Sequence, residues 1–577
     1  MLSYRKLAMR VLSRPLHTGR GIDSPRPASQ RAAAFILTAA MLTTLAAPAF
    51  AGTWYIEDGN ITISAGTEAG TNKVEQAGKD TVDNDKDTII TNQNKDKASS
   101  NTVTIDAGSD KVEVTLQDVN IKADSGSALT SKGDVTLTLK GDNHLTGGIS
   151  GTGNYGRNGI ASTGSLTISG GENDSLTAQG GAGGSGIHIS RNGSLTISGG
   201  TVTANGDDGG SGIYSSNSSS VTISGGMVTA NGGSGNISGG DGICSDSGDV
   251  TISGGTVTAT GGGSTGSNGF GGRGICSDSG GVTISGGTVK ATGGNGDYSG
   301  GDGISSSDRV AISGGTVTAN GGDSSSRKGA SGISSSSGVT VSGGTVNANG
   351  GNGDYNGGSG ISSFDRVAVS GGTVTANGGS GNFSGGDGIS SSGIDLSGSL
   401  ELTAKAGKGT QSNGKALSQN GSELDLDTIK DKLGPGAKVT ATDANGKTKQ
   451  VSIPRPVEPE ESSSSSDGGS ATPSAPAFSL PGLTVTDKDG QRISYTNTQS
   501  GNALTVCVGR FTASFRISLA ALRQLRAEGI EAITFQTILC STTLSVDELL
   551  AMGGEDAEVV LTHHIRSSTL TVGGKAV

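Results

Sequence analysis

The chain is poor in the residues that build an ordinary globular core. Only 31% of its 577 residues are hydrophobic and 3% are aromatic, whereas 104 are glycine. Disordered low-complexity chains share this composition. A repeated phrase argues against disorder, however: VTISGGMVTANGG occupies residues 221–233, and near-copies begin at residues 195, 250, 282, 310, 339 and 367.

Cysteine is also scarce. Four cysteines fit an oxidising compartment, but they are too few to hold together a disulfide-built scaffold of this length. Cys244 and Cys276 occupy equivalent places in adjacent repeats, so stacking of the repeats would bring them close together. Cys507 and Cys540 share the last domain and form a second candidate pair. Four free thiols are the alternative.

Long apolar runs are absent after residue 47. The run at residues 32–47 follows a basic leader and precedes Ala49-Phe50-Ala51, a small-x-small cleavage site. This arrangement predicts a secretory signal peptide over residues 1–51. A membrane anchor is the competing interpretation, but the run is short for a bilayer span, which needs about 20 apolar residues. We therefore expect a secreted, extracellular chain with no integral membrane segment after cleavage; attachment to a cell surface stays open.

Positive charge is in deficit, since the formal net charge is -11. An acidic surface argues against nucleic acid and anionic membranes as partners, and it is compatible with divalent cations. The charge does not bear on the oligomeric state.

The repeat is marked by Gly-Ile dipeptides, which recur every 26 to 32 residues. Each dipeptide is followed by a Val-Thr-Ile type segment and then by a Thr-Val-Thr-Ala segment, so one repeat holds three short strands. Apolar residues alternate with Thr or Ser, a period typical of strands buried on one face and incompatible with a helix. The isoleucines of the dipeptides are Ile160, Ile187, Ile213, Ile243, Ile275, Ile304, Ile333, Ile361 and Ile389.

A single repeat cannot bury its own apolar edge, whereas stacked repeats form a continuous core. The pattern therefore predicts an all-β fold, a parallel β-helix with about three short strands per coil, and right-handed winding is the general default. A small α+β domain with a helix near residues 519–528, capped by Ser518, follows it. The predicted segments are a signal peptide (1–51), an N-terminal cap with a flexible polar insertion (52–102), the β-helix (103–453), a Pro/Ser-rich linker (454–482) and the α+β domain (483–577).

Residues 118–148 contain the phrases DVNIK, SAL, DVTLTLK and GDNHLTGG, and the coils that follow repeat LTISGG and TVTANGG. Over residues 100–420 this pattern resembles the secreted carbohydrate-binding β-helix proteins of clostridia and related bacteria. The resemblance implies a right-handed parallel β-helix, bound calcium, and binding of plant cell-wall polysaccharide, especially acidic, pectin-like chains. The many short coils and the last domain depart from that family.

The variable loop of each repeat joins the Thr-Val-Thr-Ala segment to the next Gly-Ile. Because the coils stack in register, we expect these loops to line one edge of the rod. Several carry an aromatic ring, and sugars stack their C–H faces on such rings. The alternative is that each ring covers its own glycine-rich loop. The predicted carbohydrate-binding residues are Tyr155, Phe270, Tyr298, Tyr355 and Phe383.

The same loops carry carboxylates, and calcium takes six to eight oxygen ligands. Calcium is therefore predicted as a cofactor that bridges the acidic rod to an acidic polysaccharide. Solvated surface aspartates are the alternative, and the nine-residue calcium repeat of RTX proteins is absent. The predicted calcium ligands are Asp241, Asp297, Asp302, Asp354 and Asp387.

Two other functions stay open beside non-catalytic binding: a structural adhesin or surface spacer, and a pectate-lyase-like lyase or a hydrolase. Asp308-Arg309 recurs as Asp365-Arg366, and recurrence indicates a structural role because a catalytic group normally occurs once. No nucleophile motif or zinc spacing is present, and His144 and His188 are isolated, as surface or turn histidines are. We therefore expect a protein that is not an enzyme.

Overall fold

The computed structural model describes residues 52–149, 157–454, 483–487, 491–493, 495–500, 502–508, 510, 512–537, 541–552, 557–563 and 568–576. The chain divides into two compact units, one ending at Glu458 and the other beginning at Pro459. The expected signal segment and the expected linker after residue 454 lie outside the described residues.

The first unit is a β-solenoid of about 14 turns. Each regular turn contributes three strands, and equivalent strands of successive turns pair in parallel to form three columns. Strands Val103–Gln117, Leu129–Lys140, Ile361–Val369 and Ile389–Leu396 run through both the first and the second column. The fold class predicted from the repeat is thus confirmed.

The remaining strands belong to one column each. The first column contains Ile160–Thr163, Ile187–Ile189, Ile213–Ser215, Ile243–Ser245, Ile275–Ser277, Ile304–Ser306, Ile333–Ser335 and Leu417–Gln419. The second contains Leu166–Gly170, Ser194–Ile197, Ser220–Ile223, Val250–Ile252, Val282–Ile284, Arg309–Ile312 and Gly338–Val341. The third contains Asn120–Lys122, Asp142–Thr146, Ser175–Gln179, Thr201–Asn205, Met227–Asn231, Thr256–Thr260, Thr288–Thr292, Thr316–Asn320, Thr345–Asn349, Thr373–Asn377, Glu401–Lys405 and Lys438–Thr442.

The isoleucines of the Gly-Ile dipeptides stack directly on one another in the first column, as predicted. Ile243 pairs with Ile275, and Ile275 pairs with Ile304. Every one of these isoleucines is completely buried, and so are most of the Val and Ala residues of the other two columns. One continuous core therefore runs along the solenoid, and burial of apolar surface is its main source of stability.

A glycine and a ladder of asparagines lie at the corners between the columns. Gly226 follows the second column with a φ of 77°, and a Cβ at this position would lie 2.5 Å from the carbonyl oxygen of Gly200 in the preceding turn. Asparagines at the end of the third column form a ladder: the side-chain amide of Asn349 donates to Asn320 Oδ1, and that of Asn377 donates to Asn349 Oδ1, each at 2.8 Å.

The N-terminal end is more ordered than its composition predicts. Within the predicted N-terminal cap (52–102), the Asp/Lys-rich stretch at residues 71–100 was expected to be a flexible insertion or a loose cap, yet strand Asn72–Gln76 pairs antiparallel with Ile61–Ala65 and with Val82–Asp85. Asp85 explains this order, because its carboxylate accepts hydrogen bonds from Trp54 Nε1 (3.0 Å) and from the backbone of Gly52 (2.6 Å). The other elements here are Thr53–Tyr55, the 3-10 helix Ile56–Asp58 and Ile89–Thr91.

The C-terminal end of the solenoid is closed by a change of strand direction. Strand Thr448–Ser452 turns back and pairs antiparallel with Lys438–Thr442, the last parallel strand of the third column. Strand Ser422–Glu423 does the same at the end of the first column, where it pairs with Leu417–Gln419. The 3-10 helix Leu426–Lys432 lies between them in sequence, with Leu426 and Ile429 buried.

The described residues of the second unit form two sheets and two helices. Helix Leu519–Ala527 begins where it was predicted, and Ser518 Oγ caps it by accepting the backbone N–H of Ala521 at 3.2 Å. The second helix is Val546–Ala551. One sheet contains Leu483–Thr486, Ala513–Ser518, Glu558–His563, Ser568–Val572 and Lys575–Ala576, and the other contains Thr496–Ser500, Ala503–Cys507, Ala532–Gln536 and Ser541–Ser545.

One of the two predicted cysteine pairs forms a disulfide in the described residues. Cys244 and Cys276 lie side by side in the first column and form a disulfide between adjacent turns. Cys507 carries a free thiol, and its predicted partner Cys540 lies outside the described residues. Within the described parts of the chain, no helix has the length and apolar character required to cross a bilayer.

Candidate functional site

The loops that enter the first column form a surface of their own, which we call the loop edge. It comprises residues 264–270, 295–300, 323–328, 352–356, 380–384 and 408–412. Isolated parallel bridges connect each loop to the next: Gly353 pairs with Ser324 before it and with Gly381 after it, and Asn356 pairs with Lys328 and Ser384. The loops therefore repeat along the solenoid in the same register as the strands.

The predicted aromatic residues of the loop edge lie in two pairs. The rings of Tyr355 and Phe383 stack with centroids 4.6 Å apart and planes 7° apart. The rings of Phe270 and Tyr298 lie 5.2 Å apart with planes tilted by 50°. Tyr155 lies outside the described residues. Stacked loops thus bring four of the five predicted rings into one file.

These rings differ in how much surface they offer. Tyr355 is 50% exposed, Phe270 is 46% exposed and Phe383 is 37% exposed. Tyr298 is less accessible, because one neighbour is Phe270 and the guanidinium of Arg327 lies 4.6 Å from the centre of its ring. Tyr298 therefore packs against Phe270 and Arg327 and leaves little ring surface for a ligand.

Arg327 was missed by the sequence reasoning. In its own loop, Arg327 occupies the position that an aromatic residue occupies in the next loops. The backbone N–H of Tyr355 donates to the carbonyl oxygen of Arg327 (2.9 Å), and in the same way the backbone N–H of Phe383 donates to the carbonyl oxygen of Tyr355 (2.8 Å). Its guanidinium also donates to Tyr298 Oη at 3.0 Å. The loop of Arg327 has one residue more than that of Tyr355 between its two bridges, so an ungapped alignment of GGDSSSRKG with GGNGDYNGG places Ser326 rather than Arg327 opposite Tyr355.

Three of the predicted calcium ligands occupy equivalent positions just before Gly-Ile. A carboxylate oxygen of Asp241, Asp302 or Asp387 accepts the backbone N–H of Arg273, Ser331 or Lys415, respectively, at 2.6–2.7 Å. Each donor lies one turn further along the solenoid. These aspartates therefore form hydrogen bonds between turns. Burial raises the pKa of Asp302, although the hydrogen bond from Ser331 and the charges of Lys328 and Arg273 oppose the shift.

Asp241 has a second partner that competes with any cation. The guanidinium of Arg273 lies 3.1 Å from its carboxylate and also contacts Asp278. Cys244 Sγ lies 3.5 Å from the same guanidinium. Asp241, Cys244 and Cys276 are the one group of three or more His, Cys, Asp and Glu ligands that comes together among the described residues. Because its two sulfurs form a disulfide and its carboxylate binds Arg273, this group does not fit calcium.

The other two predicted ligands, Asp297 and Asp354, lie at loop tips. Asp297 accepts hydrogen bonds from the backbone of Asn268 and from Ser325 Oγ, both at 2.7 Å, and Asp354 accepts one from the side chain of Asn382 at 2.6 Å. The backbone hydrogen bond from Asn268, together with Ser325, lowers the pKa of Asp297. The five predicted aspartates thus do not converge on one cation site.

A polar pocket of about 460 Å³ opens on the loop edge, and two of the loops that line it also carry Phe270 and Tyr298. Asp297 and Asp323 contribute its two carboxylates, and serines, glycines and Asn295 supply hydroxyl and amide groups. Its residues belong to three successive loops, at 264–267, 295–297 and 323–325. Such an opening, with hydrogen-bonding groups beside exposed rings, suits a hydroxyl-rich ligand.

The recurring Asp-Arg dipeptides do not form paired sites. The carbonyl oxygen of Asp308 accepts a hydrogen bond from Ser335 Oγ, and Arg366 lies 3.5 Å from Asp395 rather than beside Asp365. The expectation that His188 is a surface or turn histidine is wrong. Its ring is buried in the first column, stacks on Tyr214 at 5.3 Å and lies 3.1 Å from Ser216 Oγ, and burial lowers its pKa to about 4.

Six stretches of the chain match the family model described as Beta helix repeat: residues 195–213, 221–242, 250–272, 282–308, 310–337 and 339–363. The match is to beta-helix repeats. No curated protein and no solved structure shows significant similarity to the chain. Each matched stretch begins in the second column, passes through the third and reaches the loop that enters the next turn. The beta-helix repeats therefore cover Phe270, Tyr298, Arg327 and Tyr355.

Proposed function

We propose that the protein binds polysaccharide without catalysis along the loop edge, outside the cell. The observation that carries this proposal is the file of rings: Phe270, Tyr355 and Phe383 are each more than one third exposed in loops that repeat with every turn. A polymer repeats as well, so successive sugars can contact successive loops. Beta-helix repeats are compatible with such a role.

The ligand we propose is an acidic plant cell-wall glycan. Exposed rings contribute C–H stacking, and the adjoining pocket contributes carboxylate, hydroxyl and amide groups for the sugar hydroxyls. Calcium stays a prediction: the described aspartates build no cage of their own, so a calcium ion at Asp297 and Asp323 would have to share its coordination sphere with the acidic ligand.

A structural spacer is the second candidate, and a specific observation favours it. Tyr355 and Phe383 cover one face of each other, and Tyr298 lies between Phe270 and Arg327. Rings that stack on one another in this way also stabilise the glycine-rich loops that carry them.

A panel of immobilised neutral and acidic polysaccharides, with and without a calcium chelator, separates these functions. Retention without reaction products supports binding, and loss of retention on chelation supports calcium. New reducing ends or unsaturated products would instead show an enzyme. Absence of retention on every polysaccharide contradicts the proposal and leaves the spacer.

A further inference from the structure

We propose that Arg327 recognises the negatively charged group of the glycan directly, without calcium. This inference rests on the proposed function, because it names the residue that would make the same edge selective for acidic chains. It starts from the disagreement above, since the predicted aspartates do not converge on a cation site.

The position of Arg327 supports the proposal. Its loop is bridged to the loops of Tyr298 and Tyr355, so its side chain leaves the solenoid between the two ring pairs. Its backbone is fixed by a hydrogen bond from its own N–H to Ser324 Oγ at 3.0 Å. A sugar held against the exposed ring of Tyr355 would therefore lie one loop from the guanidinium.

The orientation of the guanidinium is fixed as well. It lies over the ring of Tyr298 at 4.6 Å and donates one hydrogen bond to Tyr298 Oη. A guanidinium carries five N–H donors in a rigid plane, which matches the two oxygens of a carboxylate. Stacking against Tyr298 holds this plane in place, so a ligand carboxylate would meet donors that are already oriented.

Arg327 is exposed and has no ion-pair partner in the described part of the solenoid. Among residues 52–149 and 157–454, no carboxylate comes within ion-pair distance of Arg327, although Arg273 of the preceding turns is paired with both Asp241 and Asp278. Lys328 adds a second exposed cation at the next position. The chain carries a net charge of -11, so an exposed arginine without an ion pair is the feature that would attract an anion to this edge.

The test uses the full chain, a chelator in every buffer, and two forms of one polymer: polygalacturonate and its fully methyl-esterified form. Arg327→Gln should lower the affinity for polygalacturonate about tenfold, because charge-assisted hydrogen bonds are stronger than neutral ones. It should leave the affinity for the esterified polymer unchanged. The affinity of the parent protein for polygalacturonate should also fall with added salt, and that of Arg327→Gln should fall less.

Arg309→Gln is the matched control, since it removes one exposed arginine from the second column. It should leave both affinities unchanged. A sulfated glucan in place of polygalacturonate shows whether Arg327 accepts sulfate as well as carboxylate; binding that also depends on Arg327 supports a general anion site. If Arg327→Gln weakens both forms of the polymer equally, or neither, the assignment to Arg327 is wrong. If the parent protein retains neither form in chelator but retains polygalacturonate once calcium is restored, binding depends on calcium and the assignment to Arg327 is wrong. If it retains neither form in either buffer, the proposed function fails.

Discussion

The rings of Tyr355 and Phe383 come from successive turns and stack 4.6 Å apart with their planes nearly parallel. Each also leaves at least 37% of its surface exposed. A sugar polymer that lies along the loop edge would contact both rings at once. The pair is therefore the natural place to test whether the edge binds glycan.

Replacement of both rings, Tyr355→Ala with Phe383→Ala, should weaken glycan retention by about tenfold or more, because each aromatic contact contributes about 0.5–1.5 kcal/mol beyond its buried area. Retention on a polysaccharide column measures the effect. Phe364→Ala is the matched control, since Phe364 is 85% exposed on a solenoid strand away from the loop edge. Equal behaviour of the two variants would remove the ring pair from the site.

The contribution of Tyr298 should be smaller than that of Tyr355. Phe270 and Arg327 both lie against its ring, so little of either face is open to a ligand. We expect Tyr355→Ala alone to weaken glycan retention more than Tyr298→Ala alone. The variant that combines Tyr298→Ala with Tyr355→Ala should retain its fold. Circular dichroism and retention together check this; a larger loss for Tyr298→Ala would mean that Arg327 needs the ring beneath it.

Gly226→Ala should destabilise the solenoid more than Gly78→Ala. Both glycines have a φ of 77°, so both substitutions carry the cost of a left-handed alanine, about 1–2 kcal/mol. A Cβ at Gly226 would also lie 2.5 Å from Gly200 O, whereas no atom lies within 4 Å at Gly78. Urea unfolding compares the two. Equal losses would show that neighbouring turns move apart without cost.

Reduction of the disulfide should lower stability. Cys244 and Cys276 are separated by 32 positions in the sequence. A disulfide that closes a loop of this size stabilises a fold by about 2–4 kcal/mol. The unfolding midpoint should fall when a reductant is added to the parent protein. The variant Cys244→Ser with Cys276→Ser should unfold at that lower midpoint with or without reductant, and a response of this variant would point to another cause.

His188 should make the solenoid sensitive to acid. Burial lowers its pKa to about 4 from 6.5, so the unfolded chain binds a proton that the folded chain excludes between these values. Stability from this group is therefore present above pH 6.5 and is lost as the pH falls from 6.5 towards 4. The unfolding temperatures of the parent protein and of His188→Gln, measured across this pH range, should converge at low pH. Parallel curves would place the sensitivity elsewhere.

The solenoid was predictable because its pattern is enforced in every turn. Ile275 is buried between its copies Ile243 and Ile304, so one phrase repeated in the sequence specifies both the strand and its neighbours. The 71–100 segment was not predictable in this way. Its order depends on single partners distant in sequence, such as Asp85 with Trp54, and nothing in its Asp/Lys-rich composition reveals them.

The candidate site was predictable in part. Stacking of the repeats in register placed the loops of Tyr355 and Phe383 on one edge, and the structure brings their rings together. The partners of the aspartates were not visible, because Asp241, Asp302 and Asp387 bind backbone N–H groups of a different turn. Arg327 was not predicted, because its loop has one residue more than that of Tyr355 and the two side chains correspond only in the register of the folded loops.

The reversed strand Thr448–Ser452 occupies the hydrogen-bonding edge of Lys438–Thr442 that a further parallel turn would need. A further parallel turn, or a second copy of the chain, therefore cannot pair directly with Lys438–Thr442 to continue the column. The solenoid can change its length by duplication or loss of a whole repeat between its two ends. Each such event would add or remove one loop on the same edge, and evolution could thereby match the reach of the protein to its ligand while both ends stay intact.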